Sequence, residues 1–162
     1  MRCALLPGSY DPITIGHLDI VRRAAGIFDH VTVLVAHNSA KNYLLCSQKR
    51  LALVEDAIKD IPGVTADLYD GMLIDYMAEH GRPTLVKGVR NEKDFAYEIE
   101  MAQYNRELCR RKYGFEAETL FLPASSCYSA VSSTLIRTLA ACGGDFDDLV
   151  PNGKLLRDFL KG

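Results

Sequence analysis

Ten residues near the start of the chain, Gly8 to His17, read GSYDPITIGH and limit the fold more than any other stretch. The apolar run Arg2 to Leu6 precedes them and breaks at Pro7-Gly8. A pattern of Ile13, Leu18, Ile20, Val21, Ala24 and Ile27 with helical spacing follows them. A buried strand, a small-residue turn and an amphipathic helix together open an α/β unit. Phosphates collect at such turns, because a Gly-Ser turn exposes backbone N–H groups and a helix N-terminus favours anions.

The rest of the chain repeats this alternation. Val31 to Ala36, Val64 to Tyr69, Thr84 to Val86 and Thr119 to Leu122 read as further strands. Helices are predicted from about Thr14 to Phe28, from an N-cap at Ser47 to Ile58, over Met72 to His80 and over Glu92 to Lys112. Two more follow, one capped by Ser132 or Ser133 and one from about Asn152 to Leu160. The order predicts an α/β fold with a doubly wound, parallel, five-stranded sheet in a single domain over residues 1–162. A chain of 162 residues with 48% hydrophobic content suits one substantial core.

Composition narrows the functional classes. The apolar runs fall far short of the roughly 20 residues a membrane helix needs. No basic stretch leads into a long apolar segment at the N-terminus, so a cytoplasmic protein is expected. A net charge of -2 gives no support for a general nucleic-acid or membrane surface, so any anion site must be local. The five cysteines show no C-x-x-C spacing and read as reduced thiols, not a zinc site.

In open parallel sheets, ligands gather beyond the carboxyl ends of the strands. Here those ends lead into Gly8-Ser9-Tyr10, His37 to Lys41, Lys87 to Arg90 and Tyr128 to Thr134. Each loop carries groups that suit phosphate: N–H groups and a hydroxyl, the cations Lys41, Lys87 and Arg90, and serines opening a helix. Each also has an ordinary alternative, such as Arg90 pairing with Glu92 or Asp94, or Ser132 and Ser133 serving as a cap. The glycines form neither G-x-G-x-x-G nor a G-x-x-x-x-G-K-[ST] loop, which argues against hydride transfer. Cationic clamps and a helix N-terminus without a nucleophile–base pair suit phosphoryl or nucleotidyl transfer.

The TIGH of residues 14–17 resembles the T/H-x-G-H signature of the nucleotidylyltransferase superfamily, and VSSTLIR at 131–137 resembles its second signature. With VKGVRNEKDFAYE at 86–98 and Lys41, the chain is similar over essentially its whole length to the bacterial phosphopantetheine adenylyltransferases. The resemblance implies a Rossmann-like fold. It also implies transfer of AMP from ATP to 4'-phosphopantetheine, giving dephospho-coenzyme A and pyrophosphate by direct in-line attack. On that resemblance His17, Lys41 and Arg90 are catalytic, with His17 stabilising charge at the reacting phosphates. Ser9, Lys41, Leu73 and Lys87 would bind phosphopantetheine. Ser9, Tyr10, His17, Gly88, Val89, Arg90 and Glu98 would contact ATP, as would Tyr128, Ser129, Ala130, Val131, Ser132, Ser133 and Thr134. Magnesium (Mg2+) is expected on the ATP phosphates, without a protein cage, and a homo-oligomer, a hexamer, is implied.

Serine stands at position 9 and lysine at 87 where the family often has threonine and arginine, which suggests a looser acceptor clamp. A relative using nicotinate mononucleotide or a polyol phosphate would share the two signatures, but the 86–98 stretch and Lys41 argue against it, and His17, Lys41 and Arg90 speak against a nucleotide-sensing module without catalysis. The 92–112 helix carries two apolar stripes, Phe95, Ile99, Ala102 and Cys109 on one side and Tyr97, Met101, Tyr104 and Leu108 on the other. The second stripe predicts a subunit interface. His30, His80 and the acids Asp145, Asp147 and Asp148 are read as structural or solvated; His37 stands near a strand end without an assigned role.

Overall fold

A computed structural model describes residues 1–37 and 42–161. Five strands, β1 (Cys3–Gly8), β2 (His30–Ala36), β3 (Val64–Tyr69), β4 (Thr84–Val89) and β5 (Thr119–Pro123), form one parallel sheet. Their order is β3-β2-β1-β4-β5. The helices are α1 (Ile15–Ala25), α2 (Ser47–Ile58), α3 (Leu73–Glu79), α4 (Glu92–Tyr113), α5 (Ser133–Ala141) and α6 (Gly153–Lys161). This is the doubly wound α/β arrangement expected, and none of these helices is long and apolar enough to cross a membrane.

Period-two alternation along the strands builds two cores. Ala4, Leu6, Val31, Val33, Val35 and Val86 face α1, α2, α5 and α6 on one side. Leu5, Leu34 and Leu85 face Ile74 and Met77 of α3 and Cys109 of α4 on the other.

Strand order reverses between β1 and β4, and the pairing there is short. β1 matches β2 from Cys3 with His30 to Gly8 with Val35, whereas it meets β4 at Ala4 with Thr84 and Leu5 with Leu85. The strands part beyond Leu5, leaving a crevice at the switch point. Pro7 stands at that edge. It has no N–H to give a ladder, and its carbonyl accepts from Lys87 Nζ at 3.4 Å. β1 therefore runs through Pro7 and Gly8 instead of breaking before them, because a proline is tolerated where no partner strand follows. β4 likewise extends to Val89, three residues past the expected end.

Helix ends show how the local sequence sets them. Gly26 caps α1, so the helix ends at Ala25, three residues short of the expected Phe28, and the N-cap of α2 is Cys46, with Ser47 as the first helical residue. Ser132, not Ser133, caps α5 by accepting the N–H of Leu135 at 3.1 Å. Gly114, in the left-handed region at φ 69°, closes α4.

Candidate active site

A cleft of about 1230 Å³ opens over the parted ends of β1 and β4. The turn after β1 forms one wall. Tyr10 takes a left-handed φ of 46°, and its ring folds back over Gly8, where a Cβ would come within 2.8 Å of it. The Tyr10 hydroxyl donates to the Leu6 carbonyl at 2.8 Å, and burial pushes its ionisation well above the usual phenol range.

Thr14 and His17 form a capping box at the start of α1, with histidine in the place usually taken by Glu or Gln. The Thr14 backbone N–H donates to His17 Nδ1 at 3.1 Å, and the Thr14 hydroxyl accepts the His17 N–H at 3.3 Å. A backbone N–H can only donate, so Nδ1 holds a lone pair and the proton of the neutral ring sits on Nε2. Burial, followed by the charge of Arg90, lowers the His17 pKa to about 4. His17 is therefore a neutral imidazole at pH 7, half-buried in the cleft lining, with an N–H to offer.

Two of the cations expected from sequence, Lys87 and Arg90, line the cleft, each oriented by a carboxylate of α4. Lys87 Nζ is 3.2 Å from Glu98 Oε2. Arg90 donates Nε to Asp94 at 2.8 Å and Nη2 to the same carboxylate at 3.3 Å, the pairing that the sequence left open. Asp94 and Glu98 are one helical turn apart, so α4 presents them as adjacent anchors. Gly88 between them has no room for a side chain, since a Cβ would meet Ile20 of α1 at 2.9 Å.

The N-terminus of α5 closes the cleft. The Ser133 hydroxyl donates to the Pro12 carbonyl at 2.9 Å, which docks this helix start against the first turn. Arg137 donates to the Asp11 carbonyl at 2.8 Å from one nitrogen and to Thr134 Oγ1 at 3.0 Å from the other.

Ser9, Tyr10, His17, Leu73, Lys87, Gly88, Arg90, Glu98, Tyr128 and Val131 to Thr134 all line this one cleft. Val89, Ser129 and Ala130 do not; Val89 pairs with Pro123 in the sheet and the Ser129 hydroxyl turns back to the Ser126 carbonyl at 2.9 Å. Lys41 falls outside the described residues. His37 lines the cleft beside Tyr43, their ring centres 5.4 Å apart. His80 stacks on Tyr76 at 3.8 Å, and Asp145 and Asp147 hold Arg157, so these keep structural roles.

Sequence reading missed Asp11, which is 2% exposed and joins three segments. Its carboxylate accepts the N–H groups of Leu44 at 2.7 Å and Leu45 at 3.0 Å, while its carbonyl accepts from Arg137. Its place inside the opening motif was the available signal.

The Cytidylyltransferase-like family matches residues 5–139. The chain is 45% identical to the phosphopantetheine adenylyltransferase of Thermotoga neapolitana, over 91% of its own length and 88% of that protein. It is 41% identical to the phosphopantetheine adenylyltransferase of Syntrophotalea carbinolica, over 99% of this chain and 92% of the relative. The chain belongs to the phosphopantetheine adenylyltransferase family. Within that family membership, the fold reaches further than the sequence. A putative nicotinate-nucleotide adenylyltransferase from Vibrio parahaemolyticus superposes with a TM-score of 0.64 at 16% identity, each chain fully covered. A lipopolysaccharide core biosynthesis protein from Thermoplasma volcanium gives 0.57 at 18% identity, over 78% of this chain and 99% of that one.

Proposed function

We propose that this chain transfers AMP from ATP to 4'-phosphopantetheine, releasing pyrophosphate and forming dephospho-coenzyme A. One observation supports the chemistry above all. A single cleft gathers a neutral N–H donor on His17, two cations on α4 anchors and the open N-terminus of α5, with no nucleophile–base pair among the lining residues described. The choice of acceptor rests on family membership.

The acceptor is a phosphate already ionised near neutral pH, so it needs no general base. What opposes reaction is the approach of one anion to another, and fixed cations and N–H dipoles reduce that repulsion. Ser9 and Lys87, with Lys41, hold the acceptor phosphate in line with the α-phosphorus. His17 Nε2–H meets charge that grows on the transferring phosphate as the new O–P bond forms and the bond to pyrophosphate breaks. Arg90, which keeps Nη1 beyond its two contacts with Asp94, takes the outer phosphates together with the N–H groups of Ser133 and Thr134. Leu73, in the lining of the cleft, suits the pantetheine arm.

The nucleotide enters as its magnesium complex. The cleft carboxylates Asp11, Asp94 and Glu98 all have protein partners, a donor set that suits an ion carried on phosphates better than a protein cage. Bound there, the ion neutralises triphosphate charge. The protein works in the cytoplasm as a homo-oligomer, a hexamer, through the uncovered stripe of α4. Pyrophosphate release from MgATP and phosphopantetheine, with nicotinate mononucleotide and a polyol phosphate as alternative acceptors, tests the assignment. Turnover with either alternative and none with phosphopantetheine overturns it.

A further inference from the structure

Three polar or charged side chains are buried among the described residues: Asp11, Thr14 and Arg50. The first two are satisfied by the contacts given above. Arg50, on α2, has no exposed surface. Its Nη1 donates to the carbonyls of Ser9 and of Ala36, the latter at 3.2 Å, and Nη2 donates to Ser47 Oγ at 3.3 Å. The Tyr43 ring covers its face, 4.1 Å from Cζ, and Nε has no partner.

No carboxylate among the described residues pairs with this guanidinium, and Asn38 to Lys41 include no acid. A buried charge is normally matched by an opposite one, because leaving it unmatched in a low-dielectric interior is costly. Arg50 is instead matched by dipoles, and those dipoles belong to the crevice. Ser9 follows β1 and Ala36 ends β2, adjacent strands that meet at Gly8 and Val35.

The Ser9 carbonyl is drawn inward to Arg50, and a trans peptide puts the N–H of the next residue on the opposite side. The Tyr10 N–H is thereby directed away from Arg50. Neither it nor the Ser9 N–H makes a hydrogen bond among the described residues. Tyr10 takes a left-handed φ of 46°, and the N–H groups of Ser9 and Tyr10, free among the described residues, are the kind that hold an anion.

We infer that Arg50 is a positioning residue for the acceptor's phosphate. It clamps the Ser9 carbonyl so that the hydroxyl and N–H groups of this turn face outward, and its unmatched charge favours a phosphate dianion there. The inference rests on the acceptor site proposed above. It adds Arg50 to the acceptor side of the cleft, leaving the outer phosphates of ATP to Arg90 and the N-terminus of α5.

The test uses R50K, R50M and S47A in the full chain, with initial rates measured against each substrate separately. R50M should raise the KM for phosphopantetheine at least tenfold while the KM for ATP stays within twofold. R50K should fall between R50M and wild type, since it keeps charge and loses the fork, and S47A should give a two- to threefold rise. Inorganic phosphate alone should raise the melting temperature of wild type more than that of R50K or R50M. KM values for both substrates rising together, or kcat falling with both unchanged, would assign Arg50 a structural role and overturn the inference. If R50M does not fold, an unchanged acceptor KM in R50K and S47A overturns it equally. If wild type does not use phosphopantetheine, the activity assignment fails, and the phosphate arm still decides: equal protection of wild type and R50K refutes Arg50's part.

Discussion

Thr14 settles which nitrogen of His17 is left for chemistry. Its N–H reaches Nδ1 at 3.1 Å, so the helix cap and the donor proposed for catalysis are a single hydrogen-bonded unit. His17→Ala should lower kcat by about 100- to 1000-fold, in the range of a lost oxyanion donor, with the KM for ATP changed far less. Thr14→Ala removes the hydroxyl that accepts from His17 N–H and should cost about 1 kcal/mol of stability plus a roughly tenfold loss of kcat. Steady-state kinetics and urea unfolding check both. Equal losses in kcat and ATP affinity for His17→Ala would exclude a transition-state role.

The His17 pKa of about 4 carries a stability consequence. An unfolded chain binds this proton near pH 6.5, so between about 6.5 and 4 the unfolded state holds more protons than the folded one. The stability contributed by neutral His17 is complete above pH 6.5 and is lost as pH falls toward 4. Urea midpoints of wild type should fall more steeply on acidification than those of His17→Asn. The His17 Cε1 proton resonance should not titrate between pH 6 and 8; a midpoint near 6.5 would contradict the half-buried, capped geometry.

Lys87 sits between Glu98 and the Pro7 carbonyl. Lys87→Met should raise the KM for phosphopantetheine about tenfold, and Lys87→Arg should leave it within about threefold. An acceptor KM that responds to neither substitution removes Lys87 from the clamp.

α4 spans 22 residues, yet Cys109 is its one fully buried side chain among those described, while Tyr97, Tyr104 and Leu108 are 59%, 56% and 39% exposed. Even the stripe expected to pack inward is half open, since Phe95 touches Phe121 at 5.3 Å and remains 42% exposed. The homo-oligomer proposed above would cover this face of the helix. Leu108→Asp should therefore yield a smaller species by light scattering with an unchanged far-UV circular dichroism spectrum. A wild-type chain that is monomeric at micromolar concentration would refute the interface.

Asp11 accepts two N–H groups from the segment after residue 41. Removing it in Asp11→Ala strands both donors, of which the Leu45 N–H is buried, and should destabilise the fold by about 1–3 kcal/mol, read from the urea midpoint.

Elements with a clear period were legible from sequence alone, including all five strands and the extent of α2, because burial of one face writes itself into the spacing of apolar residues. The phosphate-facing loops were legible for a related reason: in a parallel sheet they must follow strands. Pro7 misled because it looks like a terminator, and only the parting of β4 makes it harmless inside β1. Arg50 was invisible because an arginine in a helix normally points to water. Nothing in local spacing says that its helix turns it toward the ends of β1 and β2.

The short contact between β1 and β4 divides the sheet into a three-strand block and a two-strand block, joined at two positions. In the reaction proposed here, the acceptor phosphate is held by Ser9 of the first block and Lys87 of the second, and the outer phosphates of ATP by Arg90 of the second and by α5. The product joins the acceptor to AMP after pyrophosphate has left, and it still grips both blocks at once as a bivalent ligand. Its departure must break both holds together, which makes release, not bond formation, the natural slow step of a full cycle.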